Sequence, residues 1–221
     1  MRLDPWRRPI PSSWTSDDPP SRRAGSPKPF LNSLLHSIRE IVAADQPILW
    51  DLLYEALWDP PTGPRRPRSV LSNPQVAAYV QDWGSNGTDL GFLAIASDGS
   101  VAGGILSRLM LPPLQGGAFH DEHTPQLGIA VFPAFQRQGL GTALLARYLA
   151  AASNRFPRVS LGVHPENHAD IKLYTRFGFR QFATGHGGYL NLVKVMDAQP
   201  QPGAPPSGET GVLPAGLTQE P

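Results

Sequence analysis

The chain has 221 residues, enough for one domain with a sizeable core and hardly enough for two. Its net charge of +1 gives no global field that would favour nucleic acid or an anionic membrane as partner. It contains no cysteine, so disulfides, cysteine nucleophiles and thiolate metal sites are excluded.

No apolar run approaches the roughly 20 residues that a membrane-spanning helix needs. The opening MRLDPWRRPIPSSW has arginines but no apolar stretch behind them, unlike a secretory signal. A cytoplasmic protein is therefore expected. Residues 1–28 and 198–221 are rich in proline and poor in large apolar groups. Such segments cannot offset the entropy of ordering, so both are expected to be disordered tails around a folded unit at 29–197.

Within that unit, Ser37–Val42 alternates like a short strand. Asp45 can cap a helix with Pro47 in its first turn and an apolar stripe of Leu49, Leu52, Leu53, Ala56 and Leu57. Residues 59–69 read as a loop. Asn73 and Pro74 start a second helix that the pattern extends to about Trp83. Asp89–Ala96 and Val101–Met110 read as strands joined by a turn at Asp98-Gly99. A loop with Gly116 and Gly117 follows.

Gln126–Val131 reads as a buried strand, Gly139–Ser153 as a helix and Arg158–His164 as a strand with Val159, Leu161 and Val163 on one face. Asn167–Arg176 reads as a helix, and Phe179–Ala183 and Tyr189–Met196 as closing strands. Strand, helix, strand at this spacing is a parallel crossover. With hairpins before it and strands after it the sheet is mixed, and the class is α+β or mixed α/β.

The chemistry is concentrated in the turn Gln136-Arg137-Gln138-Gly139-Leu140-Gly141-Thr142, which opens a helix directly after a strand. The first N–H groups of a helix lack internal partners and face one spot with the positive end of the dipole, so a pyrophosphate fits there. Glycines at 139 and 141 let the backbone approach such a ligand, and Arg137 can add a charge pair. Plain turn chemistry uses glycines in the same way. The three-glycine dinucleotide pattern and the Walker Gly-Lys-Ser/Thr are both absent. Gly128, inside the strand, fits two readings: a bulge that turns the Ile129 or Val131 N–H out of the ladder, or space for a neighbouring side chain.

These residues resemble the GNAT superfamily of N-acetyltransferases. The segment LGIAVFPAFQRQGLGTALL follows its strand, Gln/Arg-x-x-Gly-x-Gly/Ala turn and long helix. VSLGVHPENHADIKLYTRFGF follows its parallel strand and its helix with an early Asn and a later Tyr. Gln136 stands where Arg is commoner. The resemblance implies a mostly antiparallel sheet whose central parallel strands splay apart at their C-terminal ends. Acetyl-CoA would insert there as cosubstrate, with its pantetheine along Ile129, Ala130 and Val131 and its pyrophosphate on residues 137–142, Gln138, Leu140 and Thr142 included.

The implied reaction is transfer of an acetyl group to a primary amine of a small molecule or protein. Tyr174 would protonate the leaving thiolate, or is a core aromatic. Asn167 would bond the pantetheine, or cap its helix, or do both. Glu122, in the polar run His120-Asp121-Glu122-His123, is the candidate base. The same run also reads as a solvated loop or, less well supplied with ligands, as a metal site. No metal, nucleic acid or membrane is expected, and a homodimer is plausible. A non-catalytic acyl-CoA sensor is the competing function. The acceptor pocket is expected between the first two helices and the loop at 111–125, with Trp50, Tyr54, Trp58 and Trp83 available to line it or to fill the core.

Overall fold

The computed structural model describes residues 37–85 and 87–196. The two expected tails and the boundaries of the folded unit lie outside the described residues.

Among the described residues seven strands form one sheet: β1 (Ser37–Glu40), β2 (Leu90–Ile95), β3 (Val101–Arg108), β4 (Gln126–Val131), β5 (Arg158–Val163), β6 (Arg180–Thr184) and β7 (Leu190–Val195). Their order is β1-β2-β3-β4-β5-β7-β6. β4 and β5 are parallel and every other pair is antiparallel, which is the mixed sheet expected from the sequence. The β2–β3 hairpin turns at Asp98-Gly99, where Gly99 takes φ +84° and the Asp98 carboxylate accepts the Ser100 N–H at 2.9 Å.

Among the described residues four α-helices pack on the sheet: α1 (Gln46–Ala56), α2 (Pro74–Ala77), α3 (Leu140–Ala152) and α4 (His168–Arg176). On one face Leu144, Leu145 and Tyr148 of α3 are fully buried against Phe92, Ile105 and Val159, and Tyr174 of α4 joins the same cluster. The Tyr148 hydroxyl donates to Ser107 Oγ at 2.6 Å, so this buried phenol is satisfied. On the other face Leu49, Leu52 and Leu53 of α1 pack with Val80, Leu93 and Leu106. Fully burying each of these side chains contributes about 1.5–3 kcal/mol. β2 and β3 have helices on both faces, which is why they read as near-continuous apolar runs.

Two local expectations are corrected. Asp45 precedes α1, but its carboxylate bonds no helix N–H. It turns back to Arg39, with two contacts of 2.7 Å, and to the Val42 N–H at 2.9 Å, tying the end of β1 to the helix. The second helix stops at Ala77 instead of Trp83. The cause is Arg108 at the end of β3, whose guanidinium takes the carbonyls of Ala78, Gln81 and Asp82 and pairs with both oxygens of Asp89 at 2.7 and 2.6 Å. Asp82 turns to φ +52°, and the chain wraps the buried cation in place of a regular helix. Asn73 does cap α2, accepting the Gln75 N–H at 2.9 Å.

Candidate functional site

β4 and β5 pair at a single register position, Gln126 opposite Ser160, and diverge beyond it. Pro125 O accepts the Ser160 N–H on the β5 side, while Phe132 N–H bonds Ala102 on the β3 side. Backbone groups alternate along a strand, so the N–H groups of Ile129 and Val131 point into the opening. The register between β3 and β4 runs without a break from Gly103↔Val131 to Arg108↔Gln126. The bulge that was one reading of Gly128 is therefore absent, and divergence from β5 is what frees these amides. A Cβ at Gly128 would meet only Leu106 Cδ1 at 3.9 Å, so the space is not taken by a neighbouring side chain either.

At the mouth of the opening, Gly139 takes φ +82° as the residue before α3, a conformation that a side chain would strain. The first helical bond runs from Ala143 N to Gly139 O. The N–H groups of Leu140, Gly141 and Thr142 thus precede the ladder and have no partner among the described residues. Arg137 holds φ +61°. Gln136 donates from Nε2 to Val131 O at 3.1 Å, fastening the turn to the strand. A Cβ on Gly141 would meet only Leu173 Cδ2, at 3.7 Å. The protein's own packing does not require glycine there, whereas a ligand seated on these amides would.

A cleft of about 600 Å3 runs along this opening. Ile129, Ala130 and Val131 form one wall, Arg137, Gly139, Leu140, Gly141 and Thr142 the mouth, and Asn167 the far side. Gln138 is exposed and outside the lining. Lys172 and Arg176, one helical turn apart on α4, also face this cleft, and Arg176 donates to Thr142 Oγ1 at 2.9 Å. With Arg137 they make a basic rim around the free amides. The sequence held these two cations in plain view, but only the fold brings α4 beside the start of α3.

A second cleft, of about 310 Å3, adjoins the first, and Ala56, Trp58, Ile129, Asn167 and Asp170 line both. Tyr174 faces the second. Its hydroxyl has no hydrogen-bond partner among the described residues. Burial, with the nearby Asp170 charge, holds this phenol well above the ordinary tyrosine range, so it stays protonated. Asn167 caps α4: Oδ1 accepts the Asp170 N–H at 3.3 Å, and Nδ2 donates to Asp170 Oδ2 at 2.7 Å. One Nδ2 hydrogen remains for a ligand. Burial raises the Asp170 carboxyl above its usual value, partly offset by the Asn167 bond.

Loop 111–125 and the ends of α1 and α2 do border this second cleft, through Gly116, Gly117, Leu57 and Val76. Of the four aromatic candidates only Trp58 lines a cleft. Trp83 is core, and the Tyr54 hydroxyl is tied to Arg66 O at 2.6 Å. Arg66 in turn donates to Trp58 O at 2.6 Å and pairs with Asp59, which fixes the Trp58 backbone. His164 stacks on Trp58 with centroids 4.4 Å apart, and Tyr189 meets His164 edge-on at 5.2 Å.

Glu122 is exposed in the turn before β4, at the closed end of the strand pair, and lines neither cleft. Its neighbour Asp121 organises that loop by accepting from Thr124 Oγ1 at 2.7 Å, the His123 N–H at 2.9 Å and Arg158 at 3.1 Å. Burial would raise the Asp121 carboxyl, but these bonds, that of His120 and the Arg158 charge hold it well below the usual range. Among the described residues no group of three or more side chains is placed to hold a metal ion.

The sequence model of the Acetyltransferase (GNAT) family matches residues 50–179. No curated protein matches the chain. Many solved structures share the fold, and three acetyltransferases are among them. The phosphinothricin acetyltransferase of Sinorhizobium meliloti, in complex with acetyl-CoA, is 18% identical at TM-score 0.52, covering 77% of this chain and 96% of that one. The ribosomal-protein-S18-alanine N-acetyltransferase of Escherichia coli is 19% identical at 0.52, covering 77% and 99%. The spermidine N-acetyltransferase of Vibrio cholerae, in complex with CoA and spermine, is 15% identical at 0.50, covering 73% and 95%. The family match spans more than half of the chain and coincides with the splayed strand pair and the glycine turn, and the chain belongs to the Acetyltransferase (GNAT) family.

Proposed function

We propose that the chain is an N-acetyltransferase that moves an acetyl group from acetyl-CoA to a primary amine by direct attack. One observation carries this reading. A single cleft has unpartnered helix amides and a basic rim at its mouth, and the free N–H edge of an opened strand within it. A diphosphate suits the first and an extended amide-containing arm suits the second.

Acetyl-CoA, when bound, supplies the thioester. The amides of Leu140, Gly141 and Thr142, with Arg137, Lys172 and Arg176, hold its anionic end. The remaining Nδ2 hydrogen of Asn167 bonds its arm. The N–H of Ile129 or Val131 receives the negative charge that develops on the acyl oxygen, a contribution of about 3–4 kcal/mol for such donors. In the exchange the C–N bond forms and the C–S bond breaks. The ammonium gives up two protons overall. Tyr174 delivers one to the sulfur and is refilled from the amine side, and the other leaves to solvent. Glu122, which lines neither cleft, has no part in this scheme.

Calorimetry with acetyl-CoA and a thiol-release assay over a panel of amines test the reading together. Binding with release supports it. Binding without release from any amine favours a non-catalytic acyl-CoA sensor, and absence of binding removes both.

A further inference from the structure

Resting on the acetyltransferase reading, we propose that the second cleft accepts a small primary amine with a flat, uncharged apolar body, and that Asp170 holds its ammonium group. Asp170 is the one carboxylate lining this cleft among the described residues, and no Lys or Arg lines it. The charge contrast with the first cleft and its three cations is sharp. An acidic acceptor would find no Lys or Arg here, only the rings of His164 and His186, whereas an ammonium finds a carboxylate.

Position supports the assignment. Asp170 and Ile129 both line the junction of the two clefts, where an attacking nitrogen must lie to reach a thioester set against the β4 edge. Asp170 lies one helical turn before Tyr174 on the same face of α4. Oδ2 accepts from Asn167, while Oδ1 has no partner among the described residues and keeps its lone pairs. Among the described residues no cation pairs with this mostly buried carboxylate. An unpaired buried charge is costly, and a bound ammonium relieves that cost.

The walls give the body of the acceptor. Trp58 and His164 form a stacked pair at an interplanar angle of 24°, and Tyr189 closes on His164 edge-on. Tyr79 and Tyr174 face the same space. Gly128 and Gly162 leave the strand surface beneath it without side chains, so a flat group can lie close to the backbone. A volume of about 310 Å3 is at the small end for ligand pockets, which favours a compact acceptor over a long polyamine. Aromatic faces also attract the cation itself.

The experiment uses the full chain with saturating acetyl-CoA and four acceptor types: phenethylamine and tryptamine, spermidine, glutamate, and a lysine-containing peptide. The expected result is kcat/KM for the two aromatic amines roughly tenfold or more above the others. Asp170→Asn should raise KM for those amines roughly tenfold or more, as loss of a charge-assisted bond does. Trp58→Ala, at the cleft surface, should raise KM for phenethylamine more than for butylamine. It serves as the test should Asp170→Asn fail to fold. Preference for spermidine, glutamate or the peptide overturns the acceptor class while acetyl transfer stands. Unchanged amine KM in folded Asp170→Asn overturns the carboxylate's role. Acetyl-CoA binding with no turnover of any amine overturns the acceptor class and the enzyme reading together, and absence of acetyl-CoA binding overturns the reading on which the proposal rests.

Discussion

Gln126 and Ser160 face each other on the one rung that joins β4 to β5, and both are fully buried. Gln126 Oε1 accepts the Tyr79 hydroxyl at 3.0 Å and the Ala118 N–H at 3.1 Å. Because Ala118 N–H is a fixed donor, the orientation of the amide is set. One side chain therefore anchors the segment after α2 and the Gly116–Ala118 loop at the closed end of the splay. Burial pushes the Tyr79 phenol up to about 12, so its proton stays in this bond at neutral pH.

Gln126→Leu should leave the Tyr79 hydroxyl and Ala118 N–H buried without a partner. Each orphaned group costs about 1–3 kcal/mol. Urea denaturation should show the lower midpoint, and acetyl-CoA affinity should change less than amine KM, since the loop borders the second cleft only. A midpoint equal to that of the parent would mean that removing the buried Gln126 Nε2, which has no partner among the described residues, offsets the two orphaned groups.

Gly141→Val separates ligand binding from folding. Its Cβ has ordinary van der Waals room, and Val is a better helix former than Gly, so melting should hold or rise slightly. The added methyls would occupy the space over the free amides. Acetyl-CoA dissociation constants by calorimetry should increase roughly a hundredfold or more, about 2.7 kcal/mol. Equal affinity would show that the coenzyme does not sit on this turn.

Tyr174→Phe removes a hydroxyl that bonds nothing among the described residues and keeps the ring packed on Phe179. Stability should be unaffected. If the phenol protonates the leaving sulfur, kcat should fall roughly 10²–10⁴-fold with little change in KM for acetyl-CoA. An active Phe variant would return Tyr174 to the role of core aromatic.

The central unit was legible because its signals are local. A short apolar run marks β4, alternation marks β5, the 3.6-residue stripe marks α3, and a cap marks α4 at Asn167. What was missed depends on distant partners. The second helix reads on to about Trp83, yet Arg108, far along the chain, claims the carbonyls that would continue it. Asp45 reads as a cap until Arg39 is placed beside it. Glu122 has the chemistry of a base but sits at the closed end of the strand pair, a position that spacing alone does not give because it requires knowing which end splays. Asp170 is visible in sequence only as a neighbour of a cap. Its role at the junction follows from α1, β4 and α4 converging, which no spacing within one element reveals.

Asp170 also links the site to stability, and the sign can be worked out. Burial raises its carboxyl in the folded chain above the unfolded value of about 3.9. Below both values the group is protonated in either state and costs nothing. As pH rises from ~3.9 through the raised value, the folded state holds more protons than the unfolded one, so stability falls, and the full penalty persists at neutral pH. Asp170→Asn removes that penalty, and an amide can still meet Asn167 on its other side. Melting at pH 7 should therefore rise in the variant while turnover falls, and the gain should vanish near pH 3. Acetyl-CoA-free samples scanned calorimetrically at both pH values check this. A variant that melts lower at pH 7 would mean that the ionised carboxylate stabilises α4 through its Asn167 bond more than burial penalises it.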